Sequence, residues 1–150
     1  GSVYGKKICI LGFAFKANTN DTRESAAINI CKDLLEEGAL LFINDPKVNP
    51  EKISRDLEKG ENLSLGNLDL ISSEYGGEWC FAENITKHFK DADAAVILTE
   101  WQEFADIDWD SVSKTMRKPA WIFDSRSLLS SDYEFDSNVK LWRIGDGSTN

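Results

Sequence analysis

Short apolar runs that alternate with helical patterns are the feature of this sequence that most restricts its fold. Residues 7–12 are continuously apolar after Lys7 and end in Gly12, which is typical of a strand covered on both faces of a parallel sheet. A helical pattern follows, and a second apolar run occupies 39–44 before an Asp-Pro turn. This order predicts a β-α-β unit with short connections.

The helix of this unit is predicted to begin at Asp21, because Asp21 and Glu24 have the spacing of a capping box. Gly38 is placed to end it. Arg23 then falls in the first turn, where a cation opposes the helix dipole by about 0.3–1 kcal/mol. It is either an exposed arginine or one held beside the strand ends for a phosphate or a carboxylate. The apolar stripe of the helix consists of Ala27, Cys31, Leu34 and Leu35.

The same alternation continues along the chain. It predicts an α/β fold, a Rossmann-like doubly wound parallel sheet in three α/β/α layers. Residues 59–77, rich in Gly, Asn and Ser, are predicted to form a surface excursion without defined structure. The domain is predicted to span 6–145, with 1–5 a cloning remnant or linker and 146–150 a frayed tail. The remaining predicted helices lie near 50–57, 85–92 and 109–116, and the remaining strands near 94–98, 120–123 and 139–144.

Charge and cysteine content narrow the class of protein. The 150 residues carry 26 acidic and 17 basic side chains, a net charge of −9 that disfavours nucleic-acid binding. Apolar runs are shorter than the about 18 residues of a membrane span. Three cysteines without a C-x-x-C pair favour a reducing, cytoplasmic location, and Cys9 and Cys31 are predicted to be core residues. His88, the single histidine, is predicted to be exposed, and no metal site is expected.

Ligands of open α/β sheets bind beyond the carboxyl ends of the strands, where the strand order reverses. This rule selects the loops 12–22, 99–101 and 124–126. Lys16 and Arg126 lie in two of them, and local cations in an acidic protein indicate an anion site. Lys16 could equally be a solvated loop lysine.

The first loop does not match a dinucleotide fingerprint. Phe13 and Phe15 stand where glycine or small residues are needed, and their rings are expected to obstruct a pyrophosphate. Trp101, in the second loop, could face a ligand or a neighbouring subunit. Nucleophile elbows of the G-x-S-x-G type are absent from the sequence.

Several ordered motifs resemble the carboxyl-terminal nucleotide-sugar-binding domain of the UDP-glucose/GDP-mannose dehydrogenase family, and within it the UDP-glucose 6-dehydrogenases. The resemblance extends from about residue 6 to residue 144. It is carried by Ile10-Leu11-Gly12-Phe13-Ala14-Phe15-Lys16, Asn20-Asp21-Thr22-Arg23-Glu24-Ser25, Asn44-Asp45-Pro46-Lys47, Thr99-Glu100-Trp101 and Lys118-Pro119-Ala120-Trp121-Ile122-Phe123-Asp124.

The resemblance implies an NAD-dependent oxidation of UDP-glucose to UDP-glucuronate. It implies that Phe15, Lys16 and Arg126 contact the nucleotide sugar, and that Arg23 reaches an NAD bound mainly by an amino-terminal domain. The catalytic cysteine and its helpers would lie in that domain and a central region. The fragment is therefore expected to be inactive alone, and to join a dimer or hexamer when full length.

Two other classes of function fit the sequence less closely. One is a subunit-assembly module without ligand affinity, which exposed aromatic residues and an acidic surface would serve. The other is a response-regulator-like domain, which requires an acidic cluster with a phosphoacceptor aspartate at the strand ends. The ends of the first and the fourth predicted strand instead offer Gly12 and Asp124.

Overall fold

The computed structural model describes residues 2–58, 71–72 and 76–143. Within these described residues, seven strands and four α-helices follow one another, with a 3-10 turn at Ile85–His88 between the fourth and fifth strands. The strands are β1 (Lys7–Leu11), β2 (Leu40–Asn44), β3 (Ile71–Ser72), β4 (Glu78–Phe81), β5 (Ala94–Ile97), β6 (Ala120–Asp124) and β7 (Val139–Arg143). The helices are α1 (Ala26–Glu36), α2 (Pro50–Glu58), α3 (Gln102–Ala105) and α4 (Trp109–Thr115).

All strands belong to one sheet of order β3-β4-β2-β1-β5-β6-β7. Among the described strands, six are parallel, and β3 pairs antiparallel with β4 at the edge. Numbered along the chain, the six parallel strands have the order 3-2-1-4-5-6 of the Rossmann fold, whereas receiver-type folds have 2-1-3-4-5. The predicted fold class is confirmed, and the strand order disfavours the response-regulator alternative.

The core lies on both faces of this sheet. On one face, α1 and α2 bury Leu35 and Ile53 against Ile10 of β1. On the other face, Phe104 and Trp109 pack against the sheet around Ile97. Each large apolar side chain buried in this way contributes about 1.5–3 kcal/mol. The continuous apolar runs read from the sequence form strands of this sheet, with β1 covered on both faces and Trp121 of β6 43% exposed.

The start of α1 differs from the capping-box prediction. The N-cap is Ser25, whose hydroxyl accepts a hydrogen bond from Ala27 N (3.1 Å) and donates one to the Phe13 carbonyl (2.9 Å). Glu24 has a φ of +64°, which no helical residue can adopt. Ser25 is preferred because it caps the helix and also ties it to the loop after β1. Arg23 therefore lies before the helix and not in its first turn.

The predicted end of α1 is confirmed. Gly38 follows the C-cap Glu37 with a φ of +86° and donates its N–H to the Leu35 carbonyl.

The strand β4 was not expected. Part of the predicted excursion over 59–77, namely 59–70 and 73–75, lies outside the described residues. Gly77 leads directly into β4, and a Cβ there would approach the Ala39 carbonyl oxygen to 2.5 Å. The glycine that suggested a loop instead lets β4 come close enough to pair with β2. The predicted tail, 146–150, and the end of the last predicted strand at residue 144 also lie outside the described residues.

The cysteines are buried, and Cys9 and Cys31 belong to the core as predicted. Burial raises the pKa of the Cys9 thiol to about 12 and raises that of Cys31 as well. His88 is half-buried rather than exposed, because its ring stacks on Phe42 at 4.9 Å between centroids. Burial, and then the charges of two neighbouring lysines, lower the pKa of His88.

In the described part of the chain, no helix has both the length and the apolar character needed to cross a membrane. The same residues contain no group of three or more His, Cys, Asp or Glu side chains that could hold a metal ion.

Candidate functional site

The strand order reverses between β1 and β5, which are neighbours in the sheet. The loops that follow β1, β5 and β6 therefore leave the same edge side by side, as predicted. They are called here the β1 loop (12–22), the β5 loop (98–101) and the β6 loop (125–129). The sequence predicts these loops after the first, third and fourth strands. Because β4 was not predicted, the loops follow the first, fourth and fifth strands of the parallel set in the structure.

Gly12 allows the β1 and β5 loops to touch. It has a φ of +104°, and a Cβ added to it would lie 2.4 Å from both Cβ and Oγ1 of Thr99. Thr99 is fully buried, and its hydroxyl donates to the Ala14 carbonyl at 2.9 Å. The side chain of Thr99 thus fills the space that glycine leaves open and joins the two loops.

Asp45, directly after β2, accepts hydrogen bonds from both loops. Its Oδ2 accepts from the backbone N–H groups of Phe13 (2.8 Å) and Ala14 (2.9 Å), and from Nε1 of Trp101 (3.1 Å). Its Oδ1 accepts from two N–H groups of its own turn, residues 47 and 48. Asp45 is only 2% exposed. Asp45 therefore holds the turn after β2 and two loops of the candidate site together.

Arg126, in the β6 loop, closes the site from the other side. Its Nε donates to the Leu98 carbonyl (3.0 Å), and one terminal nitrogen donates to the Phe15 carbonyl (3.0 Å). Asp124 shapes this loop by accepting from the N–H groups of Arg126, Leu128 and Leu129. The guanidinium of Arg126 therefore spans the β5 and β1 loops, with the Glu100 carboxylate 3.8 Å away.

The predicted contact residues of the β1 loop lie on the surface beside Arg126. Phe15 is 39% exposed, and Lys16 is exposed and follows the carbonyl that Arg126 binds. Phe13 differs from the prediction, because its ring is fully buried in the core and cannot obstruct a ligand. Arg126, Phe15 and Lys16 are thus brought together at one edge of the sheet.

Arg23 directly follows the β1 loop and lines a cavity of about 340 Å³ together with Phe15, Asp21 and Glu24. Its Nε and one terminal nitrogen donate to the two carboxylate oxygens of Asp21 at 3.0 and 2.9 Å. This pairing lowers the pKa of Asp21 to about 2. The side chain of Arg23 is 87% exposed, so an incoming anion can reach it.

The backbone of the β1 loop has no free donors where a dinucleotide fold would bind phosphate. In residues 12–15, the first N–H group donates to the Asn44 carbonyl, the second and third donate to Asp45 Oδ2, and the fourth donates to the Asp21 carbonyl. In a dinucleotide fingerprint, such N–H groups and the helix start cradle the pyrophosphate. These four N–H groups are therefore not available to an anion, whereas the side chains of Lys16 and Arg126 lie beside them. The mismatch of this loop to a dinucleotide fingerprint in the sequence and its occupied N–H groups in the structure lead to the same conclusion.

Sequence reasoning missed two residues of this arrangement. Asp45 was assigned no role beyond ending a strand and belonging to a resemblance motif, although an aspartate at that position commonly accepts from the turn that follows. Trp101 was considered as a loop residue that could face a ligand or a neighbouring subunit, but it is 6% exposed and its indole N–H donates to Asp45. No sequence pattern indicates that these two side chains meet, because they are far apart along the chain.

The sheet order, the reversal point and the cations beside it define a nucleotide-binding α/β domain of the Rossmann class. Comparison with known sequences narrows this class. Residues 9–131 match the UDP-binding domain of the UDP-glucose/GDP-mannose dehydrogenase family. The chain belongs to that family.

Named relatives agree with this assignment. The chain is 44% identical over 137 residues to UDP-glucose 6-dehydrogenase of Drosophila melanogaster, covering 87% of this chain and 26% of that protein. It is 41% identical over 146 residues to UDP-glucose 6-dehydrogenase 3 of Arabidopsis thaliana, covering 96% of this chain and 30% of that protein. The chain thus spans less than a third of the length of these relatives.

Solved structures have the same fold. A UDP-glucose dehydrogenase from Pyrobaculum islandicum matches 85% of this chain and 23% of its own, with a TM-score of 0.59 and 26% identity. A UDP-D-ManNAc dehydrogenase from Pyrococcus horikoshii matches 95% of this chain and 26% of its own, with a TM-score of 0.62. At 24% identity, the second comparison supports the fold alone.

Proposed function

We propose that this chain is the nucleotide-sugar-binding part of an NAD-dependent UDP-glucose 6-dehydrogenase, which oxidises UDP-glucose to UDP-glucuronate. In this proposal Lys16 and Arg126 neutralise the diphosphate, and the exposed ring of Phe15 packs against the nucleotide sugar. Because guanidinium groups bind phosphate oxygens in pairs, Arg126 orients the diphosphate while Lys16 adds a mobile charge.

One observation carries the proposal: the guanidinium of Arg126 is fixed against the carbonyl of Phe15, directly beside Lys16. Two cations from distant parts of an acidic chain therefore stand at the point where α/β sheets bind ligands. The N–H groups of residues 12–15 are already occupied, so the side chains of Lys16 and Arg126 supply the positive charge available to an anion here.

The β1 loop does not fit the pyrophosphate of NAD, because the N–H groups of residues 12–15 are already hydrogen-bonded within the protein. We propose that the cofactor is held mainly by a separate domain of the full-length enzyme and that Arg23 reaches one of its phosphates. The supporting observation is that Arg23 is highly exposed and paired only with Asp21 in the described structure. The donors of Arg23 that do not bind Asp21 are available to a phosphate, and no chemical step is assigned to this chain.

Titration of the chain with UDP-glucose by isothermal calorimetry tests the proposal. Hydrogen bonds to charged groups contribute about 1.5–3 kcal/mol, so Arg126→Ala should raise Kd about tenfold or more. Arg117→Ala is the matched control, because Arg117 is an exposed arginine paired with Asp93 at the opposite ends of the strands. If Arg126→Ala and Arg117→Ala bind UDP-glucose with the same Kd, Arg126 is not in the site.

Three further properties belong to the same proposal. The isolated chain should produce no NADH from UDP-glucose and NAD, because the catalytic cysteine would lie elsewhere in the full-length enzyme. That enzyme would form a dimer or hexamer. It would be cytoplasmic, and the three buried cysteines, none of them in a disulfide, support this location.

The alternative, an assembly module, is favoured by one face of the sheet. Trp121 is 43% exposed and its ring stacks on Phe123 at 5.8 Å, beside a groove of about 490 Å³ lined largely by apolar residues. Such a face can pack against another domain or subunit. Sedimentation velocity of the chain and of Trp121→Ser separates the two functions. Tight association without nucleotide binding would favour assembly.

A further inference from the structure

We infer that Asp45 is the positioning residue of the nucleotide-sugar site. It fixes the β1 loop against the β5 loop, so that Phe15 and Lys16 face a diphosphate in one arrangement. This inference rests on the proposed function and assigns a role to a residue that cannot itself touch the ligand. Asp45 is 2% exposed and lies beneath the loops.

The geometry assigns the role because one oxygen of Asp45 serves both loops. Oδ2 is 2.8–2.9 Å from two consecutive N–H groups of the β1 loop, those of Phe13 and Ala14. The same oxygen is 3.1 Å from Nε1 of Trp101 in the β5 loop. Water cannot replace these bonds at a buried position, so losing the acceptor leaves buried donors unpaired.

The contacts of the β1 loop show how the effect reaches the surface. Ala14 is bound through its N–H by Asp45 and through its carbonyl by Thr99. The next residue, Phe15, is bound through its carbonyl by Arg126. The backbone entering Lys16 is therefore fixed by three side chains from three different loops or turns. Of these three, only Arg126 can also bind the ligand.

The test is calorimetric titration of the 150-residue chain with UDP. Asp45→Asn keeps the size of the side chain but replaces an acceptor oxygen with an N–H₂ donor. We expect Kd for UDP to rise about tenfold in this variant. Trp101→Phe removes only the β5-loop bond and should raise Kd about threefold. The control is Asp108→Asn, at an exposed carboxylate whose two oxygens accept from the N–H and the hydroxyl of Ser111 at the start of α4, away from the site. This change also replaces one of two acceptor oxygens.

The Kd for UDP distinguishes a positioning role of Asp45 from a purely structural one. Asp45→Asn and Asp108→Asn should both lower the free energy of unfolding, but only Asp45→Asn should change Kd of the folded protein. Amide exchange, measured by NMR, should become faster at Phe13 and Ala14 in Asp45→Asn.

The possible results have distinct meanings. If Asp45→Asn binds UDP within about twofold of the wild type while Arg126→Ala loses binding, the positioning role is wrong and the proposed function stands. If the wild-type chain does not bind UDP, both are wrong. Should Asp45→Asn fail to fold, Trp101→Phe decides, and an unchanged Kd there overturns the positioning role.

Discussion

Replacing Gly12 by alanine should be among the most destabilising single-methyl changes in this chain. At a φ of +104°, an L-residue is strained, and the new Cβ would lie 2.4 Å from Cβ and Oγ1 of Thr99 and 2.7 Å from its backbone nitrogen. Thr99 cannot move away easily, because it is fully buried and bonded to Ala14. The change therefore combines backbone strain with a steric clash that involves backbone atoms.

The two contributions can be estimated separately. Backbone strain at a positive φ costs about 1–2 kcal/mol, and forcing atoms into a packed interior costs about 1–3 kcal/mol. Gly12→Ala should therefore lower the free energy of unfolding by about 2–5 kcal/mol, a large fraction of the about 5–15 kcal/mol typical of a domain. Urea denaturation followed by tryptophan fluorescence measures this quantity.

Gly76 provides a matched control. Its φ of +92° is similar, but a Cβ there would meet nothing within 4 Å. Gly76→Ala should show the strain alone, about 1–2 kcal/mol. If the two variants differ by less than about 0.5 kcal/mol, the close packing of the β1 loop against Thr99 does not limit stability and the steric reasoning is refuted.

Further predictions concern single side chains. The Asp21 carboxylate should titrate near pH 2 by NMR, and its pKa should rise toward about 3.9 in Arg23→Ala. Because its pKa is lowered in the folded state, the ion pair with Arg23 is present at neutral pH and is lost as the pH falls toward 2. The Cys9 thiol, whose pKa burial raises to about 12, should resist alkylation at pH 8 until the chain unfolds, as mass spectrometry of Cys9 would record. Ser25→Ala should lower the free energy of unfolding in urea by about 1–2 kcal/mol, because it removes the cap of α1 and the bond to the β1 loop. Arg126→Lys should weaken UDP binding in calorimetry almost as much as Arg126→Ala, and a Kd within about twofold of the wild type would contradict this.

Much of the fold could be predicted because β1, β2, β5 and β6 each carry an uninterrupted apolar run. The run of β1 lies in a strand covered on both faces, whereas Trp121 of β6 is 43% exposed. The strand β4 has only two consecutive buried residues, Trp79 and Cys80, between partly exposed neighbours. Its strand conformation is set by pairing with β2, a long-range contact that local patterns do not contain.

Competition between caps explains the displaced start of α1. Asp21 and Glu24 satisfy the local spacing of a capping box, but Ser25 gains a second hydrogen bond, to the Phe13 carbonyl. The sequence contains both candidates, and the tertiary bond decides between them. Asp21 instead binds the backbone N–H and the guanidinium of Arg23.

The candidate site, like the fold, could be predicted only in part from the sequence. Lys16 and Arg126 could be selected from the sequence because a cation after a strand is conspicuous in a chain of charge −9. Asp45 could not, since acidic residues are common here and its importance comes from three turns meeting in space. Charge patterns therefore predicted the residues on the surface of the site, while the residues beneath them required coordinates.

The division of labour between the two cations follows from their hydrogen bonds. Arg126 has five N–H donors and gives two of them to the carbonyls of Leu98 and Phe15, so its remaining donors are oriented before a ligand arrives. A ligand that binds these donors does not have to order the side chain, which reduces the entropic cost of binding. Lys16 is exposed and can follow the ligand. Arg126 is thus suited to specify the geometry of a diphosphate, and Lys16 to add charge to whatever geometry Arg126 selects.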